Sequence, residues 1–187
     1  MIWVFILSLF FFLLIGAPVA IAMLSSAIVM LVALGLFDTG ILGEYLIKGA
    51  NNFSLMAIPF FILTGEIMNA GGVSKRIVDF ASAFVGHIKG GLGYVVIISG
   101  VIFAGLSGSA VADTAALGAI LIPMMMAKGY NKNSSTGLVA ATGIIGTIIP
   151  PSIPMILFGV VGGVSITKLF MAGVVPGLII ALGLIVI

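Results

Sequence analysis

Apolar residues come in runs cut by short polar or glycine–proline punctuation, and each run predicts a helix. The first, over 2–15, meets Gly16-Ala17-Pro18, a turn signal; the second, over 19–37, ends at Asp38-Thr39-Gly40. Residues 38–52 carry Asp38, Glu44 and Lys48 and read as an extracytoplasmic connection. A third helix is expected over 53–69, with Pro59 and Glu66 inside it and Ala70-Gly71-Gly72 at its end. Residues 73–88 break the pattern. Val73, Ile77, Phe80, Phe84 and Ile88 fall on one face and Lys75, Arg76, Asp79 and Ser82 on the other. That periodicity predicts an amphipathic helix lying along the cytoplasmic interface.

Two apolar arms, 91–104 and 115–127, then flank a polar knot, Gly105-Leu106-Ser107-Gly108-Ser109-Ala110-Val111-Ala112-Asp113-Thr114. At roughly 1.5 Å per residue each arm covers about 20 Å, short of a hydrocarbon core of roughly 30 Å. Lys89 precedes the first arm, and Lys128 and Lys132 follow the second, which places both ends on the same side. A re-entrant hairpin is the simplest solution. Polar, irregular backbone persists at such depth only where it lines a cavity or is buried in protein, so the knot points to a solute pathway.

Residues 133–149 form a further helix in which Gly137 and Ala141, and Gly143 and Thr147, are spaced for close helix–helix contact. Pro150-Pro151-Ser152-Ile153-Pro154 interrupts it, because adjacent prolines remove backbone donors and exclude helical geometry before them. A short apolar piece, 155–161, follows and reaches Gly162-Gly163. The last helix starts near Ser165, carries Pro176 as a kink candidate, and reaches an uncapped apolar end over 184–187 that reads as a fragment.

Composition sets the class. Hydrophobic residues make up 62% of the chain and charged residues 6%, with a mean hydropathy of +1.45. Soluble domains carry about 25% charged residues, so the expected fold is an all-α integral membrane protein. It is a multi-helix bundle with a re-entrant helical hairpin and a Pro-broken helix. The net charge of +2 reflects topology and gives no support to nucleic-acid binding. Cysteine is absent, which excludes disulfides and thiolate chemistry. The N-terminal run lacks a basic leader region and reads as a retained membrane helix. Lys75, Arg76, Lys89, Lys128 and Lys132 fall on the expected cytoplasmic side against Lys48 and Lys168 on the other, which places the N-terminus outside.

Two interrupted elements in succession suggest their chemistry. Half-helix N-termini near Ser109 and Ser152 would present free N–H groups and positive dipole ends at depth. Carbonyls released over 105–108 and 147–149 would offer oxygen ligands to a small hard cation. Secondary transporters combine these features, so the expectation is a sodium-coupled carrier of an organic anion. Its candidate residues are Gly105, Ser107, Gly108, Ser109, Asp113 and Thr114 at the hairpin tip. Thr142, Gly143, Thr147, Pro150, Pro151 and Ser152 stand on the broken helix.

Each has a simpler reading: Asp113 as a first-turn carboxylate, the serines as caps, the threonines bonded back to their own helix. A carboxylate at membrane depth costs roughly 2.5–3.5 kcal/mol, which favours a role for Asp113. Gly105-Leu106-Ser107-Gly108 also matches the Gly-x-Ser-Gly of rhomboid-type intramembrane proteases. The chain's one histidine, His87, precedes that motif on the interfacial segment, so an enzyme is not expected. A passive channel lacks support because no filter repeat is present. No organic cofactor is expected, and no metal other than sodium as the coupling ion.

The stretch Phe103-Ala104-Gly105-Leu106-Ser107-Gly108-Ser109-Ala110-Val111-Ala112-Asp113-Thr114-Ala115-Ala116-Leu117-Gly118 resembles the signature of the large membrane (DctM-like) subunit of TRAP transporters, the tripartite ATP-independent periplasmic transporters. Leu121-Ile122-Pro123-Met124, Gly129-Tyr130 and Ile148-Ile149-Pro150-Pro151-Ser152 fit the same pattern, and the similarity extends over essentially the whole chain. The resemblance implies the N-terminal half of such a subunit, the other half supplying an inverted repeat with its own hairpin and broken helix. It further implies a small TRAP membrane subunit and a periplasmic substrate-binding protein as partners, a (di)carboxylate or other organic-acid substrate, a sodium gradient, and a multi-pass position in the bacterial inner membrane. An elevator-like motion would divide the chain into scaffold helices over 1–72, an interfacial arm over 73–90, half of a transport domain over 91–164 (hairpin 91–127, broken helix 132–161) and the start of a further helix over 165–187. A related elevator-type anion carrier working without a binding protein is the alternative.

Overall fold

The computed structural model describes residues 2–186; Met1 and Ile187, the outermost positions of the expected scaffold and last helix, lie outside the described residues. The described residues form ten α-helices and two 3-10 turns, with no strand among them. They divide into two compact units, 1–51 and 52–187.

In the first unit α1 (Ile2–Leu14) and α2 (Val19–Ala33) pack on each other across a turn where Gly16 takes φ +88°. Ala22 and Ser26 are fully buried, and the Ser26 hydroxyl donates to the Ala22 carbonyl at 2.7 Å. Helix α2 ends four residues before the expected Phe37. Gly35 adopts φ +68°, and the bonds Leu36 N→Leu31 O and Gly35 N→Val32 O, both 3.0 Å, close a Schellman motif there. Residues 38–52, read as a connection, instead hold α3 (Thr39–Ala50). The Asp38 carboxylate caps it, accepting from Gly40 N at 2.6 Å and Ile41 N at 3.2 Å. Glu44 and Lys48 pair along its exposed surface at 2.6 Å, an arrangement worth about 0–1 kcal/mol.

The second unit opens with a 3-10 turn, Phe53–Met56, that runs into α4 (Ala57–Ala70). Next come α5 (Val73–Val85), α6 (Gly91–Ser107) and α7 (Ala110–Ala127). The broken element follows as α8 (Lys132–Gly143), a 3-10 turn (Ile144–Thr147) and α9 (Ile153–Gly162), and α10 (Ile166–Val186) closes the chain. Only Gly108 and Ser109 separate α6 from α7, so the two helices fold back on each other. One core binds Val95 and Val96 near the start of α6, Leu117, Leu121 and Met125 of α7, Val139 of α8, and Ile77, Val78 and Ala81 of α5. A second core joins Ile97 and Ala104 of α6 to Ile145 and to Ala181 of α10.

The hairpin arms are longer than expected. Most of the knot is helical, and arms of 17 and 18 residues cover about 26 and 27 Å rather than about 20 Å. The polar groups of the knot bond to one another at the helix ends, so no longer loop is needed to satisfy them. Arm length alone therefore no longer limits how deep the tip reaches.

Outward surfaces are oily. Trp3 is 74% exposed, Phe53 87% and Val161 87%, and three helical segments, Phe53–Ala70, Ala110–Ala127 and Ile166–Val186, are long and apolar enough to cross a bilayer. Water would penalise such a surface, whereas lipid solvates it. The architecture is that of an all-α membrane protein.

Candidate functional site at the hairpin tip

The turn between α6 and α7 is built by two residues with opposite needs. Gly108 ends α6 in the left-handed region, φ +65°. Ser109 is extended, and its hydroxyl caps α7 by accepting from Ala112 N at 3.4 Å. Ser107, buried at the last turn of α6, accepts from Ser109 N at 3.1 Å and donates its hydroxyl to Oδ1 of Asp113. Asp113 is 2% exposed, and its second oxygen, Oδ2, has no hydrogen-bond partner among the described residues.

The broken helix supplies the facing wall. Ser152, fully buried, caps α9 by accepting from Met155 N at 3.4 Å and ties the break together by donating to the Thr147 carbonyl at 2.6 Å. The two interruptions meet directly: Ile153 N donates to the Gly108 carbonyl at 3.2 Å. A Cβ on Gly108 would lie 2.5 Å from the Pro151 carbonyl oxygen, so the tip touches the prolines through bare backbone. Among the described residues no donor reaches the carbonyls of Ile149, Pro150 and Pro151.

Glycines bring the first turn of α7 onto the 3-10 turn. A Cβ on Gly146 would sit 2.8 Å from Asp113 Oδ2 and 3.4 Å from Ala110 N. One on Gly143 would collide with the Thr114 hydroxyl. Thus Ser107, Gly108, Ser109, Asp113, Thr114, Gly143, Pro151 and Ser152 converge, and Thr147 joins through its carbonyl while its hydroxyl donates to Ile144 O at 2.7 Å.

Of the remaining candidates Gly105 and Thr142 lie apart, while Pro150 belongs to the break. Gly105 is exposed on α6 with open space around it. Thr142 is buried against Gly100 in the α6–α8 seam, its hydroxyl unpartnered, rather than at the break. Pro150 is half-buried in the interruption.

Two contributions were not legible beforehand. Gly146, adjoining the free carboxylate oxygen, belongs to no motif. Gly65, Glu66 and Asn69 of α4 line a cavity of about 100 Å³ together with Phe103, Ser107 and Asp113. Of the expected spacing signal on 133–149, Gly143 makes a close approach, to Thr114, whereas Gly137 is exposed with nothing near it; other close approaches between helices fall at Gly100, Gly173 and Gly177, which the pattern did not single out.

A serine nucleophile would need a base beside it. Ser107 donates to a carboxylate, and exposed His87 stands before the other end of α6, about 26 Å of helix away. The site is not assembled for hydrolysis.

The family profile described as "Tripartite ATP-independent periplasmic transporter, DctM component" matches residues 6–187. The chain belongs to this family. A TRAP transporter large permease protein of Haemophilus influenzae is 67% identical over 162 residues, 87% of this chain and 40% of the relative. A 2,3-diketo-L-gulonate TRAP transporter large permease protein of Escherichia coli K12 is 57% identical over 164 residues, covering 88% and 39%. A sialic acid TRAP transporter large permease protein of Vibrio cholerae is 41% identical over 171 residues, covering 91% and 40%. The chain thus spans about two fifths of the length of these DctM-family relatives, which are named as transporter permeases rather than enzymes. The tip and the break lie wholly within the stretch matched to the DctM profile.

Proposed function

We propose that this chain forms part of a sodium-coupled carrier of an organic carboxylate in the bacterial inner membrane. In this reading it is the N-terminal part of a large TRAP permease subunit that works with a small membrane subunit and a periplasmic binding protein. The observation that carries the reading is the buried Asp113 carboxylate, with one oxygen held by Ser107 and the other unpartnered beside Gly146. No basic side chain forms an ion pair with it among the described residues. An uncompensated carboxylate among membrane helices calls for a cation. Sodium takes hard oxygen ligands, and the interrupted backbone over 149–151 carries carbonyls that no donor reaches among the described residues, that of Pro151 lying against Gly108 of the tip. On this account Asp113, the Ser107 and Ser109 region and the carbonyls of the break hold the ion. Its charge stiffens the contact between tip and break and prepares that end of the hairpin for an anionic substrate. The relatives named for sialic acid and diketogulonate support an organic acid as cargo.

The test is Asp113→Asn in the whole protein. Asparagine keeps an oxygen for the Ser107 hydroxyl and removes the charge. Sodium-driven uptake in proteoliposomes is expected to fall at least tenfold, on the order of 1.4 kcal/mol, with a raised sodium requirement and normal membrane insertion. Unchanged uptake at unchanged sodium dependence rejects the assignment.

A further inference from the structure

Helix α5 carries a surface that neither the hairpin nor the proposed ion site uses. Its inner stripe, Ile77, Val78 and Ala81, is buried in the core shared with the hairpin, and Ser74, also buried, donates to Asn69 Oδ1 of α4 at 2.7 Å. The sequence pattern puts Ile77 and the phenylalanines on one apolar face; the packing splits that face in two. Phe80 and Phe84 are turned outward, 56% and 62% exposed, with ring centroids 4.9 Å apart, and Ile88 continues the stripe. Lys75, Arg76 and Lys89 are exposed on the same segment, and Lys128 and Lys132 are exposed beyond the end of α7. None of these five cations forms an ion pair among the described residues, and Asp79, the one acid of α5, pairs with none of them.

An outward aromatic–aliphatic stripe flanked by unpaired cations matches the boundary between acyl chains and headgroups. Guanidinium and ammonium groups recognise phosphate there, and a leaflet rich in anionic lipid supplies the missing counter-charge. We propose that this face of α5 and the turn after it binds anionic phospholipid, Lys75 and Arg76 at one end and Lys89 at the other holding separate headgroup phosphates and Phe80, Phe84 and Ile88 entering the acyl region between them. Bound lipid pins α5, and through its buried stripe the open end of the hairpin, to one leaflet. The proposal rests on the membrane fold and not on sodium coupling, so an inactive Asp113→Asn variant leaves it standing.

The experiment measures lipid retained by the purified whole protein, by native mass spectrometry after exchange into phosphatidylglycerol or phosphatidylcholine. The unmodified protein is expected to retain phosphatidylglycerol preferentially. Each cation near an anionic surface is worth roughly fivefold, so Lys75→Gln/Arg76→Gln is expected to cut that retention by about tenfold or more and leave phosphatidylcholine unchanged. Phe80→Ala/Phe84→Ala is expected to lower retention of both lipids, and Lys48→Gln on α3 to change neither. These side chains are exposed, so the variants should fold, as their elution profiles would report. Equal retention of the two lipids by the unmodified protein overturns the proposal, as does full phosphatidylglycerol retention by the charge variant. Loss of a co-purifying membrane subunit at unchanged lipid retention overturns it too, by assigning the face to a protein partner.

Discussion

Gly108 concentrates the constraints of the site in one residue. It needs a left-handed backbone to end α6, and its missing side chain lets Pro151 approach. Alanine would be strained on the first count and collide on the second, so Gly108→Ala is expected to cost about 1–3 kcal/mol. Gly105→Ala, three residues earlier at an exposed and open helical position, should be neutral or mildly stabilising. Thermal unfolding of the detergent-purified whole protein separates the two; equal melting temperatures would show that the tip does not press on the prolines. The Ser107–Asp113 bond works at the same scale. It joins the last turn of one helix to the first turn of the next and makes a two-residue turn sufficient where a longer polar loop was expected.

At the level of elements, the interrupted stretch is held from two sides. The hairpin clamps it through the Gly108 carbonyl, and α10 closes over it from elsewhere in the chain. A Cβ on Gly173 would strike the Ile148 carbonyl and Met155, and one on Gly177 would strike Ile149. These glycines and Ala181 form a stripe at spacings of four that lets α10 approach unpaired backbone, the use small residues find in lipid, where hydrophobic driving force between helices is weak. Gly173→Ala is therefore expected to destabilise the second unit by roughly 1–3 kcal/mol, while Gly183→Ala, with nothing nearby, should be tolerated. Limited proteolysis or thermal unfolding of the two variants checks this, and indistinguishable stabilities would remove α10 as a support of the break. Small residues recur in α10 and in α8 alike; which of them are used, Gly143 but not Gly137 in α8, depends on which face another helix reaches.

For the molecule as a whole, the return of the hairpin is the central topological feature. Lys89 stands before α6 and Lys128 caps α7, and the shared core of Val95, Val96, Leu121 and Met125 brings those ends together. Single cysteines replacing Lys89 and Lys128 are expected to react with a membrane-impermeant reagent from the same, cytoplasmic side. Labelling from opposite sides would mean that α6 or α7 crosses the bilayer alone. Much of this was readable in advance. The membrane class, the positions of most helices, the amphipathic helix over 73–85 and both interruptions follow from hydrophobicity, proline, glycine and charge, which act on the backbone within a few residues. Helix α3 was the exception, because a polar stretch capped by Asp38 resembles a connection until its backbone bonds are seen. What only the tertiary structure decided is how distant pieces share space. It brought the tip against the break, Gly146 beside the free oxygen of Asp113, and Gly173 against Ile148, and it turned Thr142 toward α6. Such contacts arise where a missing side chain allows two remote backbones to touch, and an absent atom leaves no periodicity along the chain to announce its partner.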